Sequence, residues 1–522
     1  MAEHGKDAEA LLKAWKRAKG LRQPREARMD QAFKFAMPGR GSFFGNTVDD
    51  QIDDIFDETA IVATQEFASR LQAGITPNFS RWSQLEAGSE IEKDEKPEAD
   101  KQLDEVTSYV FEAIGNSNFS QEVYEGYLDL AVTMGCLEIE EGTALDPLIF
   151  NAVPVTHLWV DNGPFDRIDK FFRLRKYSPE KFEVKYPDHT IASEDFLKWK
   201  EKGDERHFLE CTMRDWTRPN EHNSFRSVVD LADKKVVVHR TYSGIGSCPM
   251  IAFRWSKAAG EVWGSGPLLN ALPAIKTCNL VVQMILENAQ MSIAGMYNLD
   301  DDGSINVDTI QLLPGTIIPR IPGTQGLTPI QPGGDFRVSD LVLNDMRSNI
   351  KRALYNDMLG NPEKTPMSAT EVAERMADLS RQIGAAFGRL QAELVQPLLQ
   401  RVVYILKKKG LIDLPAVNGK TIKIVASSPL SQAQNQIDIQ AVDRLVEFVG
   451  VRFGPQMANV FLKGEDISKF VGDKLQVPGN LVRTPAEMQA AMQQMMEMAQ
   501  ATGMGGPAEA QGAQGEAAPA GP

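Results

Sequence analysis

The sequence predicts an α+β fold, with a mixed first half and a largely helical second half. Three observations carry this. Between about 148 and 255 apolar and polar residues alternate, as in Leu209, Cys211 and Met213 set between Glu210, Thr212 and Arg214, and the run VVVHRTY (236–242) is rich in β-branched residues. From Gly260 onward the apolar residues recur every three or four positions, the helical period. Hydrophobic residues make up 42% of the 522, enough for a large buried core and too many for a chain disordered throughout. A chain of this length is expected to form about three or four structural units.

The elements follow in order. The first 40 residues open with a basic amphipathic helix, Leu11, Leu12 and Trp15 on one side and Lys13, Lys16, Arg17 and Lys19 on the other. A docked helix with a solvated face is the plainer reading, ahead of a membrane or nucleic-acid arm. A second helix runs from Asp57 to Gly74 on Ala63, Phe67 and Leu71, and a third from about Ala99 to Ile114 on Leu103, Val106 and Val110. Cys136 to Glu141 alternates and turns at Gly142. The segment 262–293 starts with turn residues and becomes a long helix on Leu268, Leu272, Ile275, Val282, Leu286 and Ile293, with Pro267 and Pro273 near its start.

Residues 291–335 hold five prolines and seven glycines, so a compact loop-and-strand insert is expected there. A helix from Phe336 to Leu359 follows, with Val338, Val342, Met346, Ile350 and Leu354 four apart. After GNPEKTPMS (360–368) comes the longest expected helix, Ser368 to Lys409, about 60 Å at 1.5 Å per residue. Ser368 with Glu371 makes a capping box, Gly384, Gly388 and Pro397 are expected to bend the helix, and Lys407 to Lys409 complement its dipole. A strand at Thr421–Val425, helices through 432–463 and a Met-rich helix near 485–500 complete the pattern. The Ala, Gly, Gln, Glu and Pro composition of 501–522 predicts disorder.

Composition narrows the function. The 56 basic and 71 acidic residues leave a net charge of −15, which argues against a general nucleic-acid coat but not against a protein that DNA passes by. The four cysteines, Cys136, Cys211, Cys248 and Cys278, form no CxxC, so no disulfide framework is expected. No uninterrupted apolar run approaches the ~18 residues of a membrane span, and the first twenty residues lack the apolar stretch of a signal peptide, so synthesis inside the cell is expected.

The search for chemistry is mostly negative. The six histidines never fall at helical metal-pair spacing, and neither a GxxxxGK[ST] phosphate loop nor a GxSxG elbow is present. Asn298, Asp300, Asp302 and Gly303 match the opening of a calcium loop, but the twelfth position is Thr309, so a plain acidic turn is favoured. Glu138 and Glu140 share one strand face and could hold Mg²⁺ in a nuclease; a solvated strand face is favoured. No catalytic residue, cofactor or metal site is assigned.

Four segments resemble one family. DETAIVATQEFASRLQAGITPNFSRWSQLEAG (57–88) looks like a helix running into a T-P…W turn, and VWGSGPLLNALPAIKTCN (262–279) is similar to a Y-G-x-G-P…L-P-x-I-K-x-L-N pattern with Trp263 in place of Tyr. MSATEVAERMADLSRQIGAAFGRLQAELVQPLLQRV (367–402) and SSPLSQAQ (427–434) match a T-A-x-E-V helix and an S-P-L-A-x-A-Q turn. In this order they resemble the portal proteins, or head-to-tail connectors, of short-tailed phages.

The resemblance implies a wing (1–265 and 410–450), stem helices (266–290 and 336–360), a clip (291–335), a tunnel loop (361–369), a long kinked helix (370–409), crown helices (451–500) and a disordered tail (501–522). It implies a dodecameric ring at one capsid vertex of the virion, with double-stranded DNA in its channel. The terminase motor, major capsid and scaffolding proteins and a tail adaptor would be partners, and no membrane is implied. Asn361, Glu363, Lys364 and Thr365 of the tunnel loop would face the DNA channel. The acidic balance suits a conduit, because each neutralised phosphate strengthens binding and slows sliding. The alternatives are a metal-dependent nuclease on Glu138 and Glu140, or another virion structural protein such as a tail adaptor or internal core protein.

Overall fold

The computed structural model describes residues 7–40, 54–78, 80–88, 96–143, 145–294, 296–298, 328–330, 336–356, 384–413, 422–426 and 429–453, with short pieces between 462 and 494. In chain order the elements are α1 (Ala8–Ala36), α2 (Thr59–Ile75), β1 (Ser83–Ala87), α3 (Lys96–Gly115), α4 (Phe119–Val132), β2 (Met134–Glu141), β3 (Leu148–Ala152), β4 (Leu158–Asn162) and β5 (Ile168–Tyr177). Next come α5 (Pro179–Lys185), α6 (Ser193–Lys202), β6 (Arg206–Arg214), β7 (Ser224–Asp230), β8 (Lys235–Tyr242) and β9 (Met250–Arg254). The second half holds α7 (Pro267–Ala294), β10 (Met296–Asn298), β11 (Thr328–Ile330), α8 (Phe336–Ala353), α9 (Gly384–Leu390), a π-helical turn (Gln391–Val395), α10 (Gln396–Lys408), β12 (Ile422–Ala426) and α11 (Pro429–Phe453). The fold class is α+β, as expected.

The chain forms two compact units: residues 1–84, 108–413 and 424–434, and residues 85–107, 414–423 and 435–522. In the second, the amide of Leu85 donates to Thr107 Oγ1 and that of Ala87 to Asp100 Oδ1, fixing the chain along α3. Leu103 is buried there, while α11 leaves Leu445, Phe448 and Val451 exposed.

The first unit is built on two antiparallel sheets, β3-β2-β9 and the meander β4-β5-β6-β7-β8. Period-two alternation gives the meander two faces. On one, Phe172, Leu209, Cys211, Phe225 and Val229 pack with Leu11 and Ala18 of α1. There α1 is docked while Lys13, Lys16, Arg17 and Lys19 stay exposed, so the plainer reading holds. Arg22 reinforces the docking: its guanidinium donates to the carbonyls of Val155, Thr156 and Leu158 at 3.1, 2.9 and 2.8 Å and lies 4.1 Å over the Trp159 ring. The other face carries Arg173, Glu210 and Arg226, with an aromatic cluster of Phe182, Tyr186, Trp199 and Phe208 beside them.

Several expectations change. Strand β2 is not a half-solvated strand: Met134 to Ile139 are all buried, because α4 packs on one face and the charged face of the meander on the other. Helix α4 was not expected. Helix α8 stops at Ala353 rather than Leu359, since Tyr355 takes a φ of +61°; Ile350 and Leu354 of the expected stripe are buried, whereas Leu343 turns inward in place of Val342, which faces out. The α-helical ladder after Gly384 is interrupted at 391–395 rather than at the glycines. Pro397 explains this: it has no N–H for Glu393 and its ring crowds that carbonyl, which a wider π turn relieves. Helix α7, averaged over Pro267–Gln290, is long and apolar enough to cross a membrane by length and composition. Its residues Leu268, Leu269, Leu272, Ile275 and Cys278 are buried in the first unit. All four cysteines are free.

The expected capping box, Met-rich helix, calcium-like turn beyond Asn298 and disordered tail lie outside the described residues.

Candidate functional site

The helical pair α7–α8 and its anchor form the site best defined among the described residues. Its start is set by two glycines. A Cβ on Gly264 would stand 2.4 Å from the Thr133 carbonyl oxygen, and one on Gly266 2.0 Å from that of Ala131, so the chain passes the end of α4 where no side chain fits. The Gly266 amide donates to Val132 O at 2.9 Å, and Thr133 Oγ1 donates to Gly264 O at 2.9 Å. Pro267 then opens α7.

Asn279, the last residue of the sequence motif, ties α7 down. Its Oδ1 accepts from the amides of Phe56 (2.7 Å) and Asp57 (3.2 Å), and its Nδ2 donates to Asp54 O (3.0 Å). Asp57 in turn receives Arg347 of α8 at 2.7 and 2.9 Å. Burial pushes the Asp57 carboxyl up, but the bonds from Thr59 and Arg347 outweigh it and hold it below the usual carboxylate range. Beyond α8, Arg70 donates to the carbonyls of Tyr355 (3.1 Å) and Asn356 (2.6 Å), and Asn356 Nδ2 donates to Ala63 O (2.8 Å).

Past this anchor the character reverses. Leu280, Met284 and Leu286 of α7 are 48%, 55% and 50% exposed, and Val342 of α8 is exposed as well. A base clamped by hydrogen bonds thus carries an outer part with apolar side chains in water.

Two arginines fix the helix that follows. Glu393 of the π turn accepts from the Arg254 amide (3.0 Å) and from its Nε (3.1 Å), while Arg254 Nη1 donates to Val262 O (2.9 Å). Arg401, in the apolar stripe of α10 and buried, donates to the carbonyls of Ile139, Gly246 and Ser247. The expected channel residues Asn361, Glu363, Lys364 and Thr365 lie outside the described residues, in the interval between Asn356 and Gly384.

The Glu138–Glu140 pair is corrected. Glu138 is fully buried, its Oε2 2.5 Å from Arg173 and its Oε1 2.6 Å from Arg226, and Glu140 reaches Arg226 at 2.8 Å and Lys185 at 3.1 Å. Burial pushes the Glu138 carboxyl up, but Arg226, Lys185 and Arg173 outweigh it and hold it well below the usual range. Glu210 joins through Tyr186 OH (2.8 Å). The carboxylates of the pair are taken up by Arg173 and Arg226 of the facing sheet and Lys185 of α5, so the pair is neither an open metal site nor a solvated face. Among the described residues no group of three His, Cys, Asp or Glu could hold a metal ion.

The residues that sequence reasoning missed, Arg254 with Glu393, Arg401 and Arg226 with Glu138, are all charges inside apolar patterns. Arg401 had a signal: it sits three positions after Leu398, on the face that the helical period assigns to the core.

Residues 8–482 match the family described as bacteriophage head to tail connecting protein. The chain is 23% identical to the probable portal protein of Bordetella phage BPP-1, with 94% of this chain and 92% of that protein covered. It is 26% identical to the portal protein of Salmonella phage epsilon15, covering 97% and 95%. A match of that span, over a fold whose glycine turn and Asn279 anchor come from one stretch of sequence, decides the matter: the chain belongs to the bacteriophage head to tail connecting protein family.

Proposed function

We propose that this chain is a portal protein. Twelve copies form a ring at one capsid vertex of the virion, which admits DNA driven by the terminase motor, retains it, and releases it through the tail. The observation that carries this reading is the family match across residues 8–482. The exposed Leu280, Met284 and Leu286 support it, since an apolar surface on two helices with a clamped base is covered when copies stand side by side.

In this reading α7 and α8 are stem, 291–335 the clip between them, 361–369 the tunnel loop, 370–409 the helix returning to the wing, and 451–500 the crown. Major capsid and scaffolding proteins, the terminase motor and a tail adaptor are its partners in this reading. The net charge of −15 per copy repels the DNA backbone and favours sliding over gripping.

Negative-stain imaging of the purified chain tests the reading. Rings of about twelve copies with a central hole are expected from closed cyclic symmetry. A chain that stays monomeric at every salt concentration refutes it.

A further inference from the structure

The two ends of β2 carry features of opposite kind. At the Glu141 end, a cleft of about 120 Å³ lies between the end of α3, the β2–β3 turn and Leu411, three residues past α10; Tyr109, Ala113, Leu145, Pro147, Leu148 and Leu411 share its walls with the polar Asn116 and Ser117. Apolar atoms at its rim stand in water: Leu145 is 93% exposed, and Tyr109 and Leu411 are 39% exposed. Glu112 and Asp146 also line it, and Asp413 follows Leu411 by two residues, all three exposed. Two lysines are bonded at the same turn. Lys408 pairs with Glu141 at 2.8 Å, and Lys409 Nζ donates to the carbonyls of Gly142 (2.6 Å) and Thr143 (2.8 Å). The cleft is therefore partly apolar, with the carboxylates of Glu112, Asp146 and Asp413 around its mouth and Lys409 held on the carbonyls of its turn.

At the Met134 end stands Phe165, at the tip of the β4–β5 turn and 73% exposed; among the described residues no aromatic side chain is more exposed. It leans on Trp216 with ring centres 5.4 Å apart, and the Arg214 guanidinium lies 4.2 Å over that indole. Arg167 flanks it, exposed, and Lys257 Nζ donates to the carbonyl of the neighbouring Asp166 at 3.4 Å. The knob is aromatic, braced from behind, and flanked by cations, with Asp166 beside it and the buried Asp169 close to Arg167 and Arg214.

Strand register separates the two. Arg254 pairs with Met134, so Lys257 and the Phe165 turn lie at that end, whereas the Gly142 amide bonded to Pro147 O (3.1 Å) closes the turn at the other. Eight strand residues at ~3.3 Å each put them about 25 Å apart, far beyond the reach of one side chain. A chain cannot fill its own cleft with its own Phe165.

We propose that Phe165 of one copy seats in the Tyr109–Leu145–Leu411 cleft of the next copy, with Arg167 and Lys257 facing Glu112, Asp146 and Asp413. Knob and socket at opposite ends of one strand make a head-to-tail contact, the kind that closes into a ring when the rotation per copy permits. An aromatic side chain in a partly apolar cleft, with complementary charge at its rim, has the make-up of an interface hot spot. The proposal rests on the ring reading above and gives that ring a contact outside the helical pair.

The test is a double variant, Phe165→Cys with Leu145→Cys, oxidised gently and run on a non-reducing gel. Both positions are exposed, so the fold tolerates the change, and the unaltered chain reports the background of the four native cysteines. The expected result is a ladder of covalent dimers, trimers and larger closed species, given by neither single variant. Rings that form without a ladder overturn the knob-and-socket contact and leave the ring reading standing; absence of rings in the unaltered chain overturns both. Independently, Phe165→Ala is expected to raise the concentration for half-assembly about tenfold, and an unchanged concentration overturns the proposal.

Discussion

The carboxylate of Glu138 stands 2.6 Å from the Arg226 guanidinium at a place where neither side chain meets water. With Arg173 on its other oxygen, Glu138 joins the three-stranded sheet to the meander by charge rather than by apolar packing. Removing one partner of such a pair leaves the others charged and buried, at a cost of about 3–5 kcal/mol. Glu138→Ala is therefore expected to lower the urea midpoint strongly. Glu140→Ala, at the more open edge of the cluster, is expected to cost about 1 kcal/mol or less. Equal losses for the two variants would show that the cluster is not organised around Glu138.

Asp129 gives a pH dependence of its own. It is buried, with Arg40 at 3.3 Å, and burial pushes its carboxyl from the usual 3.8 up to about 6 against the pull of Arg40 and the Val155 backbone, while Glu125 adds to the rise. A carboxyl raised on folding binds its proton more tightly in the folded state, so stability falls as pH rises from about 4 to about 6. Unfolding midpoints across that window are expected to favour the acid side by about 2 kcal/mol in the unaltered chain relative to Asp129→Asn. Parallel curves for the two would exclude Asp129 as the source. Glu138 works in the opposite sense: its lowered carboxyl stabilises the fold above the usual carboxylate range and that contribution is lost only as pH falls below it.

Two glycines should part company. Gly266→Ala drives a Cβ to 2.0 Å from a backbone oxygen of α4, which has no soft neighbour to yield, so a loss of several kcal/mol or failure to fold is expected. Gly388 lies in α9, exposed, with nothing within 4 Å of its would-be Cβ. Gly388→Ala is expected to raise stability by up to about 1 kcal/mol through helix propensity. Thermal unfolding of both variants checks the contrast.

Asn279→Ala removes three hydrogen bonds at the base of the helical pair and leaves the Phe56 and Asp57 amides without their acceptor. About 2 kcal/mol of local stability should go with them. Faster hydrogen exchange at those two amides, with the meander unchanged, is the expected reading; uniform protection across the chain would place the anchor elsewhere.

Lys364 is the basic residue of the expected tunnel loop. In the portal reading Lys364→Glu leaves ring formation intact and impairs packaging or retention of DNA, since a screened cation touches phosphates without holding them. Mutant particles that fill and keep genome as well as the parent would remove Lys364 from the mechanism while leaving the ring untouched.

What the sequence revealed and what it hid divide along a physical line. Helices α2, α7 and α10 were legible because Phe67, Leu272 and Val402 recur with the helical period, and the meander because Leu209, Cys211 and Met213 alternate. The burial of Glu138 was not legible, because alternation says which residues share a face and not what covers it. Nor was the end of α8: Tyr355 at positive φ and Asn356 bonded to Ala63 are consequences of packing against α2, which no local pattern encodes. Asn279 was visible within its motif, yet its role depended on where Phe56 and Asp57 came to lie.

The π turn at 391–395 has one more consequence. A π turn is an α-helix that has taken in one extra residue and stored it as a bulge, leaving the faces on either side in phase. Ala386, Phe387 and Leu390 before it, and Leu398 and Val402 after it, are all buried. Chain length is therefore negotiable at this point as nowhere else in the helix. Relatives that differ by a single residue between Leu390 and Gln396 can keep both flanks seated, whereas the same change one turn further on would swing every side chain beyond it by about 100°.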